Sequence, residues 1–301
     1  MSCCVSNRPR IGIALGSGSA RGWAHIGVLR ALAAEGVVPN LICGCSIGSF
    51  VGAAYADGDL DALESWVTGL TPQDVLGLLD VRLRSGLIKG DRLMRFFSER
   101  FVGQDFASLA IPFACVATDL QTGREVWLDK GSVADAVRAS IALPGLFAPV
   151  RRERRLLVDG GLVNPVPVSL ARAMGADVVI AVDLGSDVVG RAWRTPEAPA
   201  ANQNGGSRAS LRSLFGFGEN GRAEGDADDL PSMVTVLSSA IQIMQVRIAR
   251  SRLAGEPADV VIAPRVAGLG LMDYHRGAEA ITEGQDAVAR VLPALRHVLE
   301  I

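Results

Sequence analysis

The chain contains the stretch Leu41-Ile-Cys-Gly-Cys-Ser-Ile-Gly-Ser-Phe50, in which an apolar segment runs into a Gly-x-Ser-x-Gly pattern. The apolar part predicts a buried strand, and the small residues from Phe50 to Ala56 predict a helix behind the turn. A serine at a sharp strand-to-helix turn has a crowded backbone, which flanking glycines relieve. The helix dipole would also favour negative charge developing there. The spacing therefore predicts Ser46 as a nucleophile between Gly44 and Gly48, with an ordinary tight turn as the alternative.

Other apolar segments place this turn in an α/β fold. Ile11–Leu15 predicts a strand, and after a Gly-rich loop Ile26, Leu29 and Leu32 recur at helical spacing. Strand, loop, helix, strand, turn and helix in this order are typical of a parallel sheet with crossover helices. Later strand candidates are Pro112–Thr118, Arg124–Leu128, Arg154–Val158, Asp177–Val182 and Asp259–Ile262, the first two as a hairpin. We predict a three-layer α/β/α fold with a mainly parallel central sheet.

The chain has no internal repeats and no convincing second core, which favours one domain. The 301 residues are 49% apolar and 21% charged, as in globular proteins, and we expect a single domain over residues 10–301 behind a flexible tail of residues 1–9. Residues 186–229 are rich in Gly, Ala, Asn, Asp and Arg without an apolar period, which predicts a flexible insertion. Residues 57–101 lack clear strands, and we expect helices there that shape a substrate pocket or only support packing.

Charge and cysteine content exclude several function classes. A net charge of −2 and a pI near 6.0 argue against a nucleic-acid partner. The five cysteines form no disulfide framework and no Cys-x-x-Cys pair, and we expect no metal or cofactor. Cys45, beside the nucleophile, is expected to be a small buried filler. No apolar run approaches the ~20 residues that span a bilayer, so we expect a cytoplasmic protein with at most peripheral contact at the inner membrane surface.

A serine nucleophile needs a proton acceptor, and the three histidines are poor candidates. His25 lies inside the first helix and His297 near the C-terminus, while only His275 fits the chain order of an α/β-hydrolase triad. Packing is the default expectation for all three histidines. A triad with His275 stays open as an alternative.

Carboxylates that follow strand candidates are better acceptors. Asp119, Asp159 and Asp183 all have this position, and Asp159 also precedes Gly160-Gly161, where backbone can approach closely. We expect Asp159 at the C-terminal edge of the sheet, where α/β proteins build their sites. A desolvated aspartate hydrogen-bonded to a serine hydroxyl can act as its base. Asp159 is the preferred base, and a plain turn is the alternative.

The loop Gly16-Ser-Gly-Ser-Ala-Arg-Gly22 is the candidate oxyanion hole, because glycine and serine allow consecutive N–H groups to face one concavity. A dinucleotide-binding fingerprint is the competing interpretation. It is weak, because Arg21 occupies the third glycine position of that fingerprint, and Glu35 and Asp57 lie too early and too late to bind a ribose.

Taken in order, these motifs resemble the patatin-like phospholipases, and most of all the stand-alone bacterial members related to the esterase domain of neuropathy target esterase. The matching segments are Gly16–Gly22, Gly44–Gly48, Ala139–Val150 and Asp159–Gly161. The resemblance implies a Ser–Asp dyad without histidine, in which Ser46 attacks an ester carbonyl and Asp159 accepts its proton. The substrate would be a lipid or other ester, cleaved by a phospholipase A, lysophospholipase or carboxylesterase. The alternative is a catalytically weak regulatory or lipid-binding protein with the same fold.

The resemblance also implies roles for the Gly-rich loop. The oxyanion would be held by the N–H groups of Ser17, Gly18 and Ser19. Loop support would come from Gly16, Arg21 and Gly22, with Arg21 bracing the loop or contacting a lipid phosphate. Many family members have three glycines where this chain has Ser17-Gly18-Ser19. A serine serves there only if its φ and ψ angles are compatible.

Overall fold

Eight strands form one sheet in the part of the chain that the computed structural model describes, residues 9–78, 90–103, 105–187 and 233–300. The strands are β1 (Ile11–Leu15), β2 (Leu41–Cys45), β3 (Phe113–Asp119), β4 (Glu125–Leu128), β5 (Val150–Arg152), β6 (Arg155–Asp159), β7 (Val178–Val182) and β8 (Val260–Ile262). The helices are α1 (Ala24–Ala34), α2 (Ile47–Asp57), α3 (Leu60–Thr68), α4 (Pro72–Leu78), α5 (Asp91–Arg100), α6 (Val133–Ser140), α7 (Val168–Ala173), α8 (Met233–Gly255) and α9 (Gly277–Leu299). The predicted tail and the predicted insertion at 186–229 lie almost entirely outside the described residues.

The sheet is mainly parallel, with helices on both faces. The pairs β8–β7, β7–β1, β1–β2 and β2–β3 are parallel, and the pairs β3–β4, β3–β6 and β5–β6 are antiparallel. Side chains of successive strand residues point to opposite faces. Ile13 and Leu15 pack with α1, α2 and α9, whereas Ala14 packs with α7 and α8. The predicted three-layer fold and the β3–β4 hairpin are confirmed.

Two strands share one edge of β3, end to end. β2 pairs with the first part of β3 as far as Cys45 opposite Val116, and β6 pairs with the last part, with Asp159 opposite Ala117. β4 pairs with residues 115–118 of β3 and overlaps both partners, so it must occupy the other edge. The C-terminal ends of β2 and β6 therefore face each other. Asp159 follows a strand, as the sequence predicted, but this strand is antiparallel to β3, so the carboxylate reaches the site from the direction opposite to β2.

Two helices begin differently from the sequence expectation. α2 begins at Ile47, directly after Ser46, and not at Phe50. The segment behind the Gly-rich loop first forms a 3₁₀ turn, Ser19–Trp23, and becomes α-helical only at Ala24. In both cases helical N–H groups begin at the C-terminal edge of the parallel strands, immediately beside the predicted site residues.

Candidate active site

Ser46 is held in a strained turn between β2 and α2. Its backbone has φ 54° and ψ −125°, an uncommon conformation for a residue other than glycine. A Cβ atom on Gly44 would lie 2.3 Å from the carbonyl oxygen of Gly48, and one on Gly48 would lie 2.3 Å from that of Leu15. Because both contacts are with backbone, neither position has room for a side chain. Crowding by the backbone therefore requires glycine at position 44, before the serine, and at position 48, after it.

The Ser46 hydroxyl donates a hydrogen bond to Asp159, with 2.6 Å between Oγ and Oδ2. The other carboxylate oxygen accepts the N–H of Gly161 at 2.7 Å. The Asp159 backbone is also fixed, since its N–H donates to the carbonyl of Ala142 at 2.9 Å and its carbonyl accepts the Thr118 hydroxyl at 2.8 Å. These bonds leave the carboxylate a single orientation, with one oxygen directed at the serine.

Burial makes Asp159 a stronger base than a surface aspartate. The residue is 1% exposed, and this desolvation raises its pKa from 3.8 to about 6, although the hydrogen bonds from Ser46 and Gly161 act in the opposite direction. At pH 7 the carboxylate is still mainly ionised and can accept a proton. A pKa close to the working pH is the arrangement that favours general base catalysis.

Two N–H groups of the Gly-rich loop are free to bind an anion. Gly18 and Ser19 line the same pocket as Ser46, and their N–H groups meet no acceptor among the described residues. Ser19 has φ 53°, a conformation that glycine would adopt more easily. The N–H of Ser17 instead donates to the carbonyl of Pro165 at 2.8 Å. Ser17 therefore drops out of the predicted set of three donors.

The rest of the loop is packed and braced. Gly16 is hydrogen-bonded to β7 through its N–H, and Gly22 lies so close to Ile47 that a Cβ atom would come within 2.2 Å of that side chain. Arg21 is buried and donates from Nε to the carbonyl of Leu269 at 2.7 Å, and burial lowers its pKa to about 10. Arg21 thus braces the loop, and its side chain also lines the pocket.

None of the three histidines lines the pocket. His25 is fully buried, and its Nε2 lies 2.8 Å from the carbonyl oxygen of Gly16. That nitrogen must carry the proton, because a carbonyl can only accept. Burial lowers the pKa of His25 to about 4, so it supports the loop as a neutral donor at pH 7. His275 and His297 are exposed.

Of the three strand-end carboxylates, only Asp159 is bonded to the nucleophile. Asp183 lines the pocket, but its two oxygens hold the turn after β7 by accepting the N–H of Gly185 at 2.8 Å and the hydroxyl of Ser186. Asp119 accepts an N–H of the turn after β3 at 3.0 Å. Burial raises the thiol pKa of the fully buried Cys45, which is a packing group. The described residues contain no group of three or more potential metal ligands.

Sequence reasoning missed Ser140, which fixes the backbone of the nucleophile. Its hydroxyl accepts the N–H of Ser46 at 2.9 Å and donates to the carbonyl of Val116 at 2.7 Å. Ser140 is fully buried at the end of α6. The signal for it was its place in the segment Ala139–Val150, which resembled the family but had no role attached.

An apolar pocket extends from the Ser46 hydroxyl. Its walls come from the helices after the nucleophile, from the loop after α6 and from α8, and they include Phe50, Trp66, Leu93, Phe147, Ile241 and Val246. The helices of residues 57–101 therefore shape the pocket and do not only support the core. Such a lining suits a long apolar group held next to the serine.

The fold and the site together define a class of protein: a three-layer α/β protein whose sheet-edge serine is hydrogen-bonded to a buried aspartate. The sequence profile described as "Patatin-like phospholipase" matches residues 13–172. The chain belongs to the patatin-like phospholipase family, and the predicted resemblance is confirmed. Family membership supports lipid hydrolysis as the general class of activity.

Individual relatives agree with this assignment. An uncharacterized NTE family protein of Mycobacterium tuberculosis (strain ATCC 25618 / H37Rv) is 33% identical over 96% of this chain and 93% of its own length. Patatin-like phospholipase domain-containing protein 6 of Homo sapiens is 37% identical over 58% of this chain and 13% of its own length. The structure of VipD from Legionella pneumophila covers 95% of this chain and 67% of its own with a TM-score of 0.58 and 14% identity, a likeness of fold alone. No helix in the described ranges has the length and apolarity to cross a bilayer.

Proposed function

We propose that the protein hydrolyses carboxylic esters of lipids with a Ser46–Asp159 dyad. The observation that carries the proposal is the 2.6 Å hydrogen bond from the Ser46 hydroxyl to the buried carboxylate. A serine hydroxyl is a weak nucleophile unless a positioned base takes its proton during attack. Asp159, whose pKa is raised to about 6, meets that requirement without a histidine.

In the acylation step, Ser46 Oγ attacks the ester carbonyl carbon while its proton passes to Oδ2 of Asp159. The carbonyl oxygen becomes an oxyanion, which the N–H groups of Gly18 and Ser19 stabilise at the start of the 3₁₀ turn. The tetrahedral intermediate then collapses, the bond to the alcohol oxygen breaks, and Asp159 returns the proton to that oxygen. The products are the free alcohol or lysolipid and an acyl-Ser46 ester.

Deacylation uses the same groups with water as the nucleophile. Asp159 accepts a proton from a water molecule that attacks the acyl carbonyl, and the second oxyanion occupies the same pair of N–H groups. Collapse breaks the bond to Ser46 Oγ, which recovers its proton from Asp159. A fatty acid is released and the dyad returns to its starting state, so the cycle needs no external acid or base.

The exposed face of α8 supports contact between the mouth of the pocket and an anionic bilayer. One side of this helix lines the pocket through Ile241 and Val246, and the outward side exposes large apolar side chains at Val236, Leu237, Ile243 and Met244. Met233–Gly255 contains no acidic residue, and Arg247 and Arg250 are exposed further along the same outward side. Apolar insertion together with cationic residues is the pattern of helices that lie in a membrane interface. A lipid could then enter the pocket from the bilayer that α8 contacts.

Hydrolysis of phosphatidylcholine, lysophosphatidylcholine and p-nitrophenyl butyrate tests the proposal and selects among the ester classes. We expect Ser46→Ala and Asp159→Asn each to lower kcat by at least about 10³-fold, as removal of a nucleophile or its base does in serine hydrolases. Matched controls are Ser65→Ala on the exposed side of α3 and Asp119→Asn at the end of β3, which should keep the wild-type rate. Retained activity in either dyad variant would contradict the mechanism.

A fluorophosphonate probe separates the enzyme from a regulatory protein with the same fold. Attack by an activated serine forms a stable phosphonyl ester, so we expect stoichiometric labelling of wild type at Ser46 and none of Ser46→Ala. Wild-type protein that neither reacts with the probe nor hydrolyses any of the three esters would instead support the lipid-binding alternative.

A further inference from the structure

The Gly-rich loop is fastened to a segment far away in the chain. Ser19 Oγ donates to the carbonyl of Leu271, 252 residues later, at 2.6 Å. The N–H of Ala20 donates to the same oxygen at 3.2 Å. We refer to residues 269–274, which connect β8 to α9, as the clasp segment. It lies outside residues 13–172, the part of the chain that matches the family profile.

Two more contacts join the clasp segment to the turn that follows the loop. Arg21 Nε donates to the carbonyl of Leu269 at 2.7 Å, and Trp23 Nε1 donates to the carbonyl of Tyr274 at 3.1 Å. The rings of Trp23 and Tyr274 also pack edge to face, with centroids 5.9 Å apart. Four of the five residues of the Ser19–Trp23 turn are therefore hydrogen-bonded to backbone carbonyls of one short segment.

The hydrogen-bond directions make Tyr274 the first donor in a chain that runs through Ser19 to the carbonyl of Leu271. A hydroxyl has one proton, and the Ser19 proton is committed to the carbonyl of Leu271. The 2.8 Å contact between the Tyr274 hydroxyl and Ser19 Oγ must then be a donation from the tyrosine. The Ser19 hydroxyl thus donates one hydrogen bond and accepts another. These two bonds hold the residue in a positive-φ conformation that would otherwise be unfavourable for a serine.

We propose that Tyr274 is a positioning residue that acts through Ser19 to hold the oxyanion hole in its productive geometry. This role rests on the proposed ester hydrolysis. The Ala20 N–H and the Ser19 hydroxyl both donate to the carbonyl of Leu271, so the N–H groups of Gly18 and Ser19 are the donors of this loop that stay available next to Ser46. Hydrogen-bond donors stabilise a transition state only if they are already oriented toward the developing charge. Serine in place of glycine at position 19 supplies the hydroxyl through which the clasp segment sets that orientation.

Steady-state kinetics on p-nitrophenyl butyrate with Tyr274→Phe, Ser19→Ala and the double variant tests the proposal. Tyr274→Phe removes one oxygen and keeps the ring against Trp23. We expect kcat to fall about five- to tenfold with KM within twofold, the size of one lost hydrogen bond expressed in the transition state. In the Ser19→Ala background the tyrosine change should cost less than twofold, because the two hydroxyls act as one unit. The matched control is Tyr55→Phe, which removes the hydroxyl of the other tyrosine in the sequence and should leave kcat unchanged.

Hydrogen exchange of the peptide that covers residues 16–23 gives a readout that does not depend on turnover. We expect Tyr274→Phe to accelerate exchange in this peptide while the thermal midpoint stays within a few degrees of wild type. Unchanged exchange overturns the positioning role, whether or not the protein hydrolyses esters. Faster exchange with an unchanged kcat, or losses in the two single variants that multiply in the double variant, would also overturn it. Wild-type protein without turnover or probe labelling would instead refute the proposed function.

Discussion

The Ser46 hydroxyl meets the Asp159 carboxylate, 113 residues later in the chain, because β2 and β6 end at neighbouring positions on one edge of β3. The strand residue before Ser46 lies opposite Val116, and Asp159 lies opposite Ala117. A one-residue shift in the register of β6 would turn the carboxylate to the other face of the sheet. The hydrogen bond between Ser46 and Asp159 therefore depends on the register in which β2 and β6 pair with β3.

The raised pKa of Asp159 predicts the acid side of the pH–rate profile. We expect kcat/KM for a soluble ester to rise tenfold per pH unit below about pH 6 and to level off above it, because only the ionised carboxylate accepts the serine proton. The free-enzyme pKa appears in kcat/KM, so that parameter should be measured from pH 4 to 8. A midpoint near 4, the value of an ordinary aspartate, would contradict the role of burial.

The same shift predicts that Asp159→Asn stabilises the protein. Since the pKa is raised from 3.8 in the unfolded chain to about 6 in the folded protein, protonation of Asp159 favours folding below pH 4, and that contribution is lost as the pH rises through 6. At pH 7 the desolvated carboxylate costs up to about 3 kcal/mol, a cost that an amide avoids while its oxygen still accepts from Gly161. We expect the thermal midpoint of Asp159→Asn to exceed that of wild type by several degrees at pH 7.

The difference in thermal midpoint should shrink as the pH falls toward 4, where wild-type Asp159 is also neutral. Asp119→Asn is the control, because backbone hydrogen bonding lowers the pKa of Asp119 and its neutral replacement should destabilise. Lower stability of Asp159→Asn at pH 7, or a difference that does not vary with pH, would show that the carboxylate is not strained by burial.

Two glycines of α2 should differ strongly in their tolerance of alanine. A Cβ atom on Gly48 would lie 2.3 Å from the backbone oxygen of Leu15, whereas one on Gly52 would first meet the ring of Phe113 at 3.2 Å. We expect Gly48→Ala to abolish activity and to lower the free energy of unfolding by several kcal/mol, because the backbone of β1 cannot move aside. Gly52→Ala should change stability by about 1 kcal/mol or less, since helix propensity offsets the tighter contact. Chemical denaturation of both variants checks the contrast.

Substitutions on α8 should separate membrane contact from chemistry. We expect Ile243→Glu to lower hydrolysis of phospholipid in anionic vesicles by about tenfold or more, because the buried area of one isoleucine is lost from the interface. The kcat/KM for p-nitrophenyl butyrate in solution should stay within twofold of wild type. Val38→Glu is the matched control, since Val38 is also exposed but precedes β2 at the opposite edge of the sheet. Equal vesicle activity of wild type and Ile243→Glu would argue against contact through α8.

Local sequence predicted the parts of the site that depend on local sterics. The turn at Ser46 was predictable because only glycines fit at positions 44 and 48, and the Gly-rich loop because small residues must precede the 3₁₀ turn. The central parallel strands were predictable as short apolar runs, since strands buried on both faces carry few polar residues. The start of α2 was misplaced by three residues because the turn residues themselves join the helix.

The partners of these groups were decided by tertiary structure. Asp119, Asp159 and Asp183 all follow strands, and the sequence favoured Asp159 only through the two glycines after it. The antiparallel pairing of β6 is what brings its carboxylate to the nucleophile. The N–H of Ser17 is consumed by a carbonyl far along the chain, and Ser140 and Tyr274 contact the site from elements with no local sign of that role. Local sequence is sufficient to indicate which residues can take part in the chemistry, because backbone sterics act over a few residues. Strand register and the packing of chain-distant segments, which no local pattern specifies, determined which of those residues meet.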